Sequence, residues 1–261
     1  MGDIASNLAG HWKLDDNAAS TVVVGTVGGN GTLNGGDNTS AKTIAGPGGS
    51  LTAGLNFNGT DDYIALPVGT LLRNVGASSL ACWIKTSATG DDRAVSVGSN
   101  ADGSVRALIY FPAGLGQIRV GGRAGDGEAF QSVTSVSDYN NNAWRHVAGV
   151  FNYASDSILI YVDGATVSTT GTPSFTATST SDTNPLHVRI GSATGSGGLT
   201  GSFWQGGLAD VRIYSRALAA EDVADLYALG VASSGVVGPI TESSRLTGGG
   251  SLLSPGRLIR C

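Results

Sequence analysis

Phe203-Trp-Gln-Gly-Gly-Leu-Ala-Asp-Val-Arg-Ile-Tyr-Ser-Arg-Ala-Leu218 runs directly into Ala219-Ala-Glu-Asp-Val-Ala-Asp-Leu-Tyr-Ala-Leu-Gly230, and the two hydrophobic periods meet there. Gly207–Tyr214 reads as a strand. Ala217–Leu229 reads as a helix, with Leu218, Val223, Leu226 and Tyr227 on its apolar side and Glu221, Asp222 and Asp225 on its polar side. It closes at Gly230, where a C-terminal glycine cap is expected.

Upstream of this stretch the pattern is all strand. Period-2 segments predict strands at His11–Leu14, Leu55–Phe57, Tyr63–Leu66, Leu80–Thr86, Ala94–Val97, Val105–Phe111 and Gln117–Val120. Others are predicted at Phe130–Val136, Arg145–Asn152, Ser157–Val162, Thr166–Thr170 and His187–Ile190. Asp163-Gly164, between two such segments, supplies the positive φ angles of a two-residue hairpin turn. Val22–Leu51 is rich in Gly, Asn, Thr and Ser and is expected to be mostly loop. Many short strands with turn signals between them indicate an all-β sandwich or barrel carrying one short C-terminal helix.

Composition narrows the function. The 261 residues include 41 glycines, and charged residues make up 13%, against roughly 25% in an average soluble protein. Low charge with 41% apolar residues argues against disorder. Fifteen basic against twenty acidic residues give a net charge of −5, so a nucleic acid is not an expected partner. No apolar run is long enough for a membrane span. Met1–Asn7 has neither the basic nor the apolar region of a secretory signal, so no signal peptide is visible. Cys82 and Cys261 cannot build a disulfide framework.

Catalytic equipment is sparse. The glutamates are Glu128, Glu221 and Glu242, and the histidines His11, His146 and His187 lie far apart. Nucleophile-elbow, P-loop and Gly-x-Gly-x-x-Gly signatures are absent from the chain. A glycan-cleaving enzyme would rest on Asp126 and Glu128 alone, and a Gly-rich turn makes these loop charges.

Six segments in order resemble one family: Gly10-His-Trp-Lys-Leu-Asp-Asp16, Leu55-Asn-Phe-Asn-Gly-Thr-Asp-Asp-Tyr63, Leu80-Ala-Cys-Trp-Ile-Lys-Thr86, Ala143-Trp-Arg-His-Val-Ala-Gly149, Leu159-Ile-Tyr-Val-Asp-Gly164 and Phe203–Leu218. Together they are similar to the laminin-G-like domains of the concanavalin A-like lectin/glucanase superfamily. The resemblance implies a two-sheet antiparallel jelly-roll sandwich over residues 1–230, with Trp12, Trp83, Trp144 and Trp204 as packing residues. It also implies a structural Ca²⁺ held by the Asp210 carboxylate, the Gly59 backbone oxygen and a backbone oxygen near His11. Its alternative for Asp210 is a bond to Arg212 or to backbone amides. Asp61 and Asp62 resemble loop acids that bind a ligand-bridging Ca²⁺ in some relatives, although the further acidic cluster such a site needs is not apparent.

The reading that follows is a non-enzymatic module binding a glycan or cell-surface ligand through edge loops. Its expected contacts are Asp91, Asp92, Arg93, Arg123, Tyr139 and Asn140. An extracellular or virion-surface location is expected. Residues 231–261 form a Gly/Ser-rich tail of net charge +2. That tail motivates an alternative: a structural or decoration component of a virus particle or other assembly, with the tail making the subunit contacts.

Overall fold

A computed structural model describes residues 2–67, 69, 71–99, 105–181, 186–194 and 201–231. The assembly role assigned to 231–261 therefore falls outside the described residues, apart from Val231.

Two antiparallel sheets face each other. The first has the strand order β15(Ala165–Thr166), β14(Ser157–Val162), β13(Arg145–Asn152), β8(Ala77–Lys85), β18(Gln205–Tyr214), β1(Leu8–Trp12), β3(Gly25–Val27). The hairpin β5(Thr43–Gly48)–β6(Leu51–Asn58) joins it through β18. The second runs β16(Thr169–Thr170), β12(Gln131–Asp138), β11(Gln117–Gly122), β10(Val105–Phe111), β9(Asp92–Ser99), β17(Leu186–Ile190), β7(Tyr63–Ala65), β4(Gly31–Asn34), β2(Val22–Val23). This is the expected jelly-roll sandwich. Its main core lies between the sheets, where Leu55, Phe57, Val95, Ile109, Phe111, Val120 and Val211 are buried.

The strand assignments hold with shifts at the ends, except that the strand expected at Thr166–Thr170 is split into β15 and β16, which pair in opposite sheets because the chain crosses between them at Val167 and Ser168. Asp163 (φ 51°) and Gly164 (φ 83°) form the expected turn between β14 and β15. The turn has a second role, because Asp163 accepts from Arg145 NH1 (2.7 Å) and from the His146 amide (3.0 Å). Trp12 and Trp204 are fully buried, Trp83 nearly so, and Trp144 stays partly exposed.

Val22–Leu51 departs from the loop expectation. It holds β2 to β5 and a single helical turn, α1(Thr39–Lys42), capped by the Asn38 side chain. These strands are two to six residues long and made largely of Gly, Thr and Val, so no alternation is visible in them. What orders them is tertiary: the Trp12 indole donates to Gly29 O (2.9 Å), and Thr39 exchanges bonds with the Ala18 backbone.

The C-terminal helix α2(Ala220–Gly230) starts three residues later than the periodicity indicates. Leu218 is instead the last residue of the approach and packs with Tyr214, Val223 and Leu226 on the outer side of the first sheet. Asp222 sets the start: its Oδ2 accepts from the Ala219 amide (2.8 Å) and from Arg216 NH1 (2.6 Å). Gly230 is the last helical residue rather than a left-handed cap. A Cβ there would lie 2.3 Å from Trp83 Cζ2, so this glycine serves a close approach between helix and indole. Among the described residues, no helix is long and apolar enough to cross a membrane.

Candidate functional site

The outer faces of the two sheets differ in charge. Helix α2 covers part of the first, and its arginines have acids: Arg145 with Asp163 (2.7 Å), Arg212 with Asp210 (3.0 Å), Arg216 with Asp222 (2.6 Å). The second sheet sends Val95, Val97, Ala107, Ile109, Val120, Val188 and Ile190 inward. Alternation then turns Arg93, Tyr110, Arg119, Thr134, His187 and Arg189 outward.

Register aligns these side chains in a row. Tyr110 on β10 stands opposite Arg93 on β9 and opposite Arg119 on β11, and Arg119 stands opposite Thr134 on β12. A register shift in β9, where Ala94 and Val95 are both fully buried, places Arg93 on the outer face beside Tyr110. The Arg93 and Arg119 guanidinium carbons lie 5.4 and 5.7 Å from the Tyr110 ring centroid. Arg119 is fixed further by Nε donating to Thr134 Oγ1 (2.8 Å) and NH1 to the Tyr110 hydroxyl (3.3 Å). Just past β11, Arg123 lies over Phe130 at 5.4 Å. Arg93, Leu108, Tyr110, Arg123, Phe130 and Thr194 line a groove of about 350 Å³.

Next to the groove, β17 carries Arg189, opposite Ser96. It is 8% exposed, lies 5.7 Å over the Tyr63 ring, and its Nε is buried without a partner. Burial lowers its pKa, with Tyr63 partly opposing. His187 stands two residues away, its pKa lowered by burial and by Arg189. Among the described residues, Arg119, Arg123 and Arg189 form no ion pair, and Arg93 has only Asp91 at 3.2 Å.

Of the residues expected at a ligand site, the groove gathers two, Arg93 and Arg123. Asp91 sits at its rim, bonded to Arg93 and to the Ser202 hydroxyl (2.8 Å). Asp92 is 7% exposed, and burial raises its pKa. Tyr139 and Asn140 do not line the groove. Asn140 Nδ2 donates to Ala88 O (3.1 Å), the Tyr139 amide donates to Gly116 O (2.7 Å), and the Tyr139 ring packs on the core, so they brace neighbouring loops. Tyr110, Phe130, Arg119 and Arg189 are not among the expected contacts, which were sought in edge loops, whereas these residues stand on or beside strands. Arg119 and Tyr110 stand on the polar side of strands already recognised, and that was the available signal.

Asp126, expected beside Glu128, has another partner. It forms an ion pair with Arg106, which is buried, and Arg106 also donates to Ser181 Oγ (2.9 Å). That pair ties down the loop after β11.

The residues assigned to calcium do not fit the ion. Asp210 and His11 do meet, Nε2 to Oδ1 at 2.7 Å, but Arg212 takes Oδ2 (3.0 Å) and shares Oδ1 (3.1 Å). Burial pushes the Asp210 carboxyl up, yet His11 and Arg212 more than offset this and hold it below the usual range. The small cavity beside it, about 160 Å³, is lined by two cations, Lys13 and Arg212, as well as by the acids Asp15 and Asp210. Gly59 is in the turn beside Gln205, five residues further along β18, or about 16 Å. Asp62 Oδ2 is likewise occupied, by Lys42 Nζ (2.6 Å) and the Asn58 amide (2.8 Å), while its Oδ1 is buried without a partner. Among the described residues, no three His, Cys, Asp or Glu side chains come together.

Fold and site define a lectin-like sandwich. A laminin-G family model, described as the concanavalin A-like lectin/glucanases superfamily, matches residues 58–224, and the chain belongs to that family. No curated protein sequence matches it. Among solved structures, it is similar to domain 4 of AbnA, a GH43 extracellular arabinanase from Geobacillus stearothermophilus, in complex with arabinotriose. Identity there is 20%, coverage 85% of this chain and 98% of that one, and TM-score 0.59. It is also similar to the receptor binding domain of botulinum neurotoxin C/D mosaic serotype, at 15% identity, 85% and 51% coverage, and TM-score 0.56. A third is the heptameric SAP-like pentraxin from Limulus polyphemus, at 18% identity, 66% and 80% coverage, and TM-score 0.52. The chain spans about half the length of the toxin domain.

Proposed function

We propose that this domain is a non-catalytic binding module that recognises a glycan, free or on a surface outside the cell, through the outer face of the second sheet. The observation that carries this reading is the open groove of about 350 Å³ in which Arg93, Tyr110, Arg123 and Phe130 converge. Sugars present hydroxyl acceptors and apolar ring faces, and a groove of guanidinium donors and aromatic surface meets both. The related arabinanase domain, described with arabinotriose, and the toxin receptor binding domain support binding as the use of such a sandwich, although fold does not fix function. Non-catalytic action is supported by the commitment of Asp126, the carboxylate expected to act with Glu128, to Arg106.

The test is affinity electrophoresis of the wild type and an Arg123→Ala/Phe130→Ala variant through gels containing a panel of soluble polysaccharides. Retardation of the wild type by at least one polysaccharide, lost in the variant at an unchanged melting temperature, is the expected result. Equal retardation of both proteins would remove the groove from the account.

A further inference from the structure

Three of the four arginines of the row have no ion pair among the described residues. The chain has an acid beside Arg106, Arg145, Arg212 and Arg216. On the outer face of the second sheet, Arg119, Arg123 and Arg189 form no ion pair among the described residues and Arg93 pairs with Asp91, in a protein of net charge −5. A buried cation without a counter-charge is costly, and Arg189 has none among the described residues: it is 8% exposed, its Nε lacks a partner and its Nη1 donates to Val188 O (3.3 Å). Rings hold these side chains in place, Tyr110 between Arg93 and Arg119, Phe130 under Arg123, Tyr63 under Arg189. A guanidinium stacked in this way is preorganised, and its fork matches a carboxylate or sulfate.

We infer that the ligand is an anionic glycan, a chain bearing carboxylate or sulfate groups, laid across β11, β10, β9 and β17 with its acid groups on Arg119, Arg93, Arg123 and Arg189. This rests on the binding role proposed above and names the ligand class. From β11 to β17 is three strand steps, about 14 Å, so the strip suits an oligosaccharide segment rather than a single sugar. Sparse charge suits it better than dense charge. Double-stranded DNA carries one charge per about 1.7 Å, whereas Arg119, Arg93 and Arg189 stand on β11, β9 and β17, separated by two strand steps and then one, each about 4.8 Å.

Isothermal titration with polygalacturonate and chondroitin sulfate as anionic probes, arabinan and dextran as neutral ones, and a DNA oligonucleotide tests this. At least one anionic glycan is expected to bind about tenfold or more tighter than either neutral polymer, and to lose about tenfold or more in affinity from about 20 to about 500 mM salt. Arg119→Gln and Arg189→Gln should each weaken it about fivefold or more with little change in melting temperature. Should Arg189→Gln unfold the domain, the more exposed Arg119→Gln decides alone. A neutral polymer bound as tightly, independent of salt and weakened by Arg123→Ala/Phe130→Ala, would overturn the anionic class and leave the binding module standing. DNA bound more tightly than either anionic glycan would overturn it too. No binding of any glycan would overturn both.

Discussion

Arg93 and Arg119 reach the same ring from opposite neighbours: one from β9 and one from β11, each within 6 Å of the centre of Tyr110 on the strand between them. Two like charges over one ring are tolerable because the quadrupole attracts both and solvent screens their repulsion. Tyr110→Leu keeps the apolar volume and removes that attraction. It is expected to cost little stability, about 1 kcal/mol, but to weaken glycan binding several-fold, because the guanidiniums lose their support. Paired urea denaturation and titration separate the two effects.

His146 governs acid sensitivity in the mildly acidic range. It is buried against Trp83 and Tyr227, its Nδ1 has no partner, and burial drives its pKa from 6.5 down to about 4, with Arg212 lowering and Asp210 raising it. Between those values the unfolded chain binds a proton that the folded one does not, so stability falls as pH falls from about 6.5 to about 4. The full effect is about 3 kcal/mol. His146→Phe keeps a ring in the stack and should flatten the urea midpoint over this range; an unchanged slope would refute the assignment.

Gly230→Ala should destabilise by about 1–3 kcal/mol. The new methyl would meet Trp83 Cζ2 and Cε2 at 2.3 and 2.5 Å, where the end of α2 rests on the sheet. Had Gly230 been a left-handed cap, the cost would be that of backbone strain and the Trp83 environment would not change. Tryptophan fluorescence alongside thermal melting distinguishes these outcomes.

Asp210 answers for charge rather than for metal. Its backbone is left-handed (φ 48°) where the register of β18 shifts against β8, a conformation that Asn also tolerates. Asp210→Asn therefore removes charge alone, leaves Arg212 and His11 without their anion, and should cost about 3–5 kcal/mol. Chelation should leave the melting temperature of the wild type unchanged. A bound ion at a hundred times its Kd would instead contribute about 2.7 kcal/mol, and its removal would be plain in a melt.

Much of the sandwich could be read from the chain because its strands announce themselves with alternation or continuous apolar runs. Leu80–Thr86, Arg145–Asn152 and Gly207–Tyr214 are adjacent in the first sheet, and the Asp163-Gly164 turn behaves as its sequence demands. Strands β2 to β5 were hidden because their order comes from distant partners such as Trp12 rather than from local pattern. The site was half legible. Arg93 and Arg123 were among the expected contacts and line the groove, but only register brings Tyr110, Arg119 and Arg189 to them, and the shift at Ala94 that turns Arg93 outward leaves no mark in composition. What weighs against the calcium expectation is a neighbour two residues away. Arg212 follows Asp210 across the bulge, and their mutual pairing decides what Asp210 can hold.

The most direct check on the ligand face is nuclear magnetic resonance mapping of arginine Nε–H and backbone amide shifts during titration with an anionic oligosaccharide, oligogalacturonate for example. The account predicts perturbations concentrated on Arg93, Arg119, Arg123 and Arg189 and on the amides of β9, β10, β11 and β17. Perturbations confined to α2, the β5–β6 hairpin or the outer side of the first sheet would contradict it.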